Sequence, residues 1–143
     1  MILKDFDIFD NAFFFIASRE KQYIIDRITD CVEVVESEFI KFFLGEDGYF
    51  ELVNAIEQET TTLEQEALRQ SLTVPVAGLA YYFYRKQNVS STDETGESMP
   101  MDNKIKQVTP GEKMTTAWNM AVKAMEQINP DAEIPARINT WNL

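Results

Sequence analysis

Between Glu20 and Leu44, Ile25, Ile28, Val32, Val35, Phe39 and Phe42 recur at spacings of 3, 4, 3, 4 and 3. That rhythm lines one face of an α-helix and is foreign to a strand, whose faces alternate at every second residue. Asp26, Thr29, Glu33, Glu36 and Ser37 fall on the other side of the same helix, where water is expected. Glu33 and Glu36, at helical i,i+3, therefore read as an exposed charged face rather than as a catalytic acid pair or a Mg²⁺ site. Gly45 follows Leu44 where a C-cap glycine would stop the helix.

Three shorter patterns of the same kind follow. Tyr49, Leu52, Val53 and Ile56 form the apolar side of a second helix near 48–58. "TTTLEQEALRQSL" opens a third, near 63–87, with a threonine available as N-cap. Pro75 lies within it, and proline removes a helical hydrogen bond and clashes with the preceding turn, so a kink or break is expected near Thr73. Gly78 adds looseness. From Val74 to Tyr84 there is no charged residue, so this stretch is expected to be buried on most sides, in part against a neighbouring copy. "TPGE" begins a fourth helix near 110–129, with Thr109 as N-cap, Pro110 at N1 and Glu112 at N3. Met114, Trp118, Ala121, Met125 and Ile128 form its apolar face, and Asn129-Pro130 ends it.

The expected fold is all-α: a single domain over residues 1–143, a four-helix antiparallel bundle-like arrangement. Strand signals are confined to 1–18 and to the sides of the polar loop. In the first, "NAFFFIAS" fits a short buried helix as well as a strand; in the second, "ETG" would tip an extended hairpin. Residues 88–108 are polar and carry no apolar face. So long a segment between two helices reads as an arm, extended or a β-hairpin, that becomes ordered against a neighbouring subunit. The tail, 130–143, is different. Ile134, Ile138, Trp141 and Leu143 are too apolar to float in water, and a docking role with Trp141 as anchor is expected.

The chain has no histidine, which removes Ser-His-Asp and Cys-His catalysis and every His-containing metal site. The lone Cys31 falls in the apolar stripe and reads as a small buried hydrophobe. The five glycines are isolated, so no loop cradles phosphate. "GEDGYFE" lacks the ligand spacing of a Ca²⁺ loop. No catalytic residue, metal or cofactor is assigned, and an enzyme is not expected. The net charge of −11 speaks against ordinary nucleic-acid binding, which needs a basic footprint. For the same reason Tyr81 to Tyr84, followed by Arg85 and Lys86, reads as core or interface packing rather than base stacking. Trp118 reads as core. The longest apolar run, 72–84, has 13 residues, short of the roughly 20 that span a bilayer. With acids in "MILKDFDIFD" where a signal peptide needs cations, a soluble protein made in the cytoplasm is expected.

The order of several motifs resembles a known family. Leu44-Gly45 follows an aromatic helix, Tyr81 to Arg85 close a second helix, and Thr92, Thr95 and Gly96 lie in the polar loop. Lys113 and Trp118-Asn119 then stand in the last helix. This set, over about residues 20–125, is similar to the small head–tail connector (adaptor) proteins of tailed phages, particularly those infecting Bacteroidetes. The resemblance implies a structural virion protein at the head–tail interface. Its subunits would form a homo-oligomeric ring, dodecameric by that likeness, bound beneath the portal protein. The ring would carry a downstream tail or stopper protein, and DNA would pass through the lumen without specific binding. The partner contacts so implied are Tyr82, Tyr84, Arg85, Thr92, Thr95 and Gly96, joined by Ile134, Ile138 and Trp141 of the docking tail. The alternative is a small helical protein-binding or regulatory module of a bacterial host.

Overall fold

The computed structural model describes residues 1–4, 6–10, 21–96 and 110–138, and it is all-α, with no strand among these residues. A 3-10 turn, Phe6–Asp10, precedes helix α1, Lys21–Val35. A π-helical turn, Glu36–Ile40, joins α1 to the short α2, Lys41–Leu44. Helices α3 (Glu46–Glu57), α4 (Leu63–Ser71), α5 (Thr73–Gly96) and α6 (Pro110–Ile128) follow. No helix among the described residues is long and apolar enough to cross a membrane.

The first expected helix forms over the expected span, but its apolar face is not the expected one. In the π turn the Lys41 N–H donates to the carbonyl of Glu36, five residues back rather than four. Such a turn inserts one extra residue into the helical register. Upstream, Ile28, Val32 and Val35 are buried as the spacing requires. Downstream, the buried positions are Ile40 and Phe43 in place of Phe39 and Phe42, and Phe42 is 59 % exposed. The same slip carries Glu36 into the core, at 4 % exposure. Its expected place on the solvated face is thus corrected, because the face assignment assumed an unbroken period of 3.6.

Gly45 separates α2 from α3 at φ +82°, a left-handed conformation that side-chain-bearing residues seldom adopt, so the corner depends on glycine. α4 starts on a capping box: the Gln65 N–H donates to Thr62 Oγ1 at 3.1 Å, and the Thr62 N–H donates to Gln65 Oε1 at 2.8 Å. The break expected near Thr73 lies at Leu72, which separates α4 from α5. Pro75 then falls in the first turn of α5, where its missing N–H has no helical partner to lose. α6 begins at Pro110 as expected, and its Thr109 cap lies outside the described residues.

α5 is the spine of the fold, packed along α6 and against α1. Val76, Ala77, Leu79, Ala80 and Tyr81 are all buried, and Ala117, Ala121 and Met125 of α6 join them in one core cluster. Small residues let the two backbones approach closely. A Cβ on Gly78 would stand 2.6 Å from the carbonyl oxygen of Ala117 and 2.8 Å from the Cβ of Ala121.

α5 also continues past the end expected for it at residue 87, so residues 88–96 are helical rather than part of an extended arm or hairpin. No proline or glycine interrupts 88–95, and i→i−4 hydrogen bonding needs no apolar face. The remainder of the expected arm, 97–108, lies outside the described residues, as do 11–18 of the expected N-terminal element.

Candidate functional site

Two places in the fold hold irregular chain segments against helices by specific polar contacts. The first begins at the π turn. Glu36 Oε1 accepts the main-chain N–H of Ile2 at 2.8 Å, and Oε2 accepts that of Leu3 at 2.9 Å. From α4, Arg69 Nε donates to the carbonyl of Ile2 at 2.8 Å and Nη2 to that of Met1 at 3.2 Å. Arg69 Nη1 faces Glu66 at 3.7 Å, and Glu66 Oε1 accepts from the Thr61 hydroxyl at 2.8 Å. A buried carboxylate and a buried guanidinium thus satisfy the N–H groups of Ile2 and Leu3 and the carbonyls of Met1 and Ile2. Ile2, Leu3 and Phe9 enter the core at 1, 3 and 5 % exposure. Each such burial contributes about 1.5–3 kcal/mol. Burial pushes the Glu36 carboxyl above its ordinary range; the Ile2 and Leu3 N–H groups, the Met1 amine and the Arg69 cation pull the other way without offsetting it. Tyr49 of α3 is half-buried, and its phenol is raised first by burial and then by the Glu36 charge.

The second place is the tail. After α6 the chain turns at Asn129 and runs back along the same helix. The Trp118 indole N–H donates to the Ala136 carbonyl at 2.8 Å. The Asn119 side-chain amide brackets Ile138: its Nδ2 donates to the Ile138 carbonyl at 3.0 Å, and its Oδ1 accepts the Ile138 N–H at 2.9 Å. Arg137 pairs with Glu126 at 2.8 Å. Ile134 and Ile138 are half-buried against their own chain. The tail up to Ile138 is therefore seated on its own helix, and Trp141 lies outside the described residues.

Trp118 is half-buried and joins the tail to an aromatic cluster rather than lying deep in the core. Its ring stands 4.8 Å from Tyr82, 6.0 Å from Phe83 and, edge-on, 5.9 Å from Phe39. Phe39 owes this place to the π turn, which moved it off the buried face. Of the expected contact residues, Tyr82 is thus in the cluster and Tyr84 is in the core at 5 % exposure. The Arg85 guanidinium lies 5.9 Å from the Tyr81 ring, and its Nε–H is buried with no acceptor among the described residues. Thr92, Thr95 and Gly96 lie on the last turns of α5, their side-chain surroundings outside what is described.

The arrangement holds segments and buries surface. Among the described residues no three His, Cys, Asp or Glu side chains gather as metal ligands would. Cys31 is buried, and burial, with the neighbouring Asp30 carboxylate, pushes its thiol up, which favours the unreactive form. Sequence reasoning missed Glu36, Arg69 and Asn119. The usable signals were weak: Glu36 precedes a run where either of two phases fits the apolar residues, and Asn119 adjoins the only tryptophan in α6. No family model, no curated protein and no solved structure matches the chain.

Proposed function

We propose that the chain is a structural subunit of a phage head–tail connector, a ring component beneath the portal protein rather than a catalyst. The observation that carries this reading is the meeting of motifs far apart in sequence. Tyr82, from the Tyr81-to-Arg85 motif, packs at a tilt on Trp118 with ring centroids 4.8 Å apart, and the adjoining Asn119 pins Ile138 of the tail. The acidic chain suits a lumen along which DNA slides without sticking, whereas the uncharged stretch of α5 is taken up by its own core, so contacts between subunits would fall to other faces. In this reading Trp141 extends from the anchored Ile138 towards a neighbouring component, and residues 97–108 form the intersubunit arm.

The test is made in particles. Removing the protein from an assembling phage is expected to leave DNA-filled heads that do not join tails, and restoring it is expected to rescue joining. A Trp141→Ala chain should melt like the wild type and incorporate poorly, by roughly 2 kcal/mol or more in attachment, as for other buried interface tryptophans. Particles of normal morphology assembled without the protein would overturn the reading and leave a host binding module in its place.

A further inference from the structure

The tail and the π turn leave between them a groove of about 240 Å³, lined by Phe39, Phe42, Ile134 and Pro135, with Glu38 and Glu133 beside them. The four apolar residues share the lining with the two carboxylates, and Phe42, at 59 % exposure, stands open to water. A single exposed hydrophobe needs no explanation, but Phe42 shares one concave surface with Phe39, Ile134 and Pro135, and contiguous apolar surface marks a contact site. The two carboxylates come from different elements, one from the π turn and one from the tail. Each has a cation close in sequence that is turned elsewhere. Lys41, three residues after Glu38, holds its Nζ 5.1 Å from the Phe50 ring. Arg137, four residues after Glu133, is bonded to Glu126 at 2.8 Å. Glu38 and Glu133 are both exposed, and neither is in an ion pair among the described residues.

We propose that this groove is a docking site for a protein segment that presents an apolar side chain flanked by lysine or arginine. The apolar side chain packs on Phe42, Ile134 and Pro135, and the cations reach Glu38 and Glu133. Charge selects the class of partner. Nucleic acid and anionic membrane would meet two uncompensated carboxylates on a chain of net charge −11, and a basic polypeptide meets the complement of both. The groove needs the tail in its seated position, because Glu133, Ile134 and Pro135 form one wall of it. The site does not depend on the ring reading.

The probe is a fluorescein-labelled peptide, acetyl-Lys-Leu-Lys-Phe-Lys-Leu-Lys-amide, with a second peptide in which every lysine is glutamate. Polarisation is measured with the full chain and with three variants. One is Phe42→Ser, and one combines Glu38→Lys with Glu133→Lys. The third combines Glu57→Lys with Glu64→Lys, which makes the same change in net charge at exposed sites away from the groove. The lysine peptide is expected to bind the wild type saturably. Affinity should fall about tenfold or more in Phe42→Ser and in the groove reversal, as for reversed interface charges, and less than about threefold in the remote reversal. The glutamate peptide should gain affinity for the groove reversal alone. Equal losses in both reversals would mean attraction to bulk charge and overturn the site, as would no saturable binding to the wild type.

Discussion

Glu36 and Ile2 are joined by a 2.8 Å hydrogen bond between a buried carboxylate and a main-chain N–H, across 34 residues of sequence. The bond makes the amino-terminal segment part of the core. The other Glu36 oxygen takes the next N–H, and Arg69 takes the carbonyl between them. Replacing Glu36 by alanine would leave two buried N–H groups without acceptors, each costing about 1–3 kcal/mol. Urea unfolding of Glu36→Ala is expected to show a loss of at least about 2 kcal/mol. Amide exchange at Ile2 and Leu3 should accelerate before global unfolding. Unchanged exchange at those two amides would contradict the clamp.

The same carboxyl makes stability depend on pH in an uncommon direction. Burial raises its folded pKa above the ordinary 4.5, so between those two values the folded state holds more protons than the unfolded chain. Its contribution is fully present below the unfolded pKa and is lost as pH rises through the folded pKa. Glu36→Gln removes this titration. Wild-type stability minus that of Glu36→Gln is expected to fall with rising pH from about 4.5 upward. A difference that rises over that window would mean that the two N–H bonds outweigh burial.

Neighbouring phenylalanines should respond in opposite ways. Phe43 is 4 % exposed and Phe42 is 59 % exposed. Phe43→Ala is expected to cost about 3–5 kcal/mol, as large-to-small core changes do. Phe42→Ala should cost under about 1 kcal/mol. Thermal melts of the two variants side by side test the π turn directly, because an unbroken α-helix would reverse their order.

Gly78→Ala sets helix propensity against packing. Alanine is better than glycine inside a helix by about 1 kcal/mol. Here its Cβ would stand 2.6 Å from the Ala117 carbonyl oxygen, a backbone atom that cannot swing aside. Over-packing of this kind costs about 1–3 kcal/mol, and the helices must separate to relieve it. A net loss of up to about 2 kcal/mol, with a lower Tm, is expected. A raised Tm would show that the contact between α5 and α6 gives way easily.

Much of the helical architecture was legible because its causes are local. The Thr62 cap, the glycine corner at Gly45, the break before Pro75 and the start at Pro110 each depend on residues within a turn of one another. The burial of Val76 to Tyr81 was likewise written in an uncharged run. Where polarity alone was the guide, it failed: 88–96 is polar and helical, because a helix closes its own hydrogen bonds whatever its face.

By itself, then, the sequence determined that this protein is helical, where most helices start and stop, and that it carries no histidine chemistry. Only the tertiary structure decided which face of the first helix is inside and what the chain ends do. One extra residue in the π turn advances every later position, and a pattern of adjacent phenylalanines fits both phases. The choice was made by contacts distant in sequence: Ile2 and Leu3 arriving at Glu36, and Ala136 and Ile138 at Trp118 and Asn119. A buried carboxylate is costly alone and tolerable once two N–H donors reach it, so its position follows from the segment that docks there and not from its own neighbours.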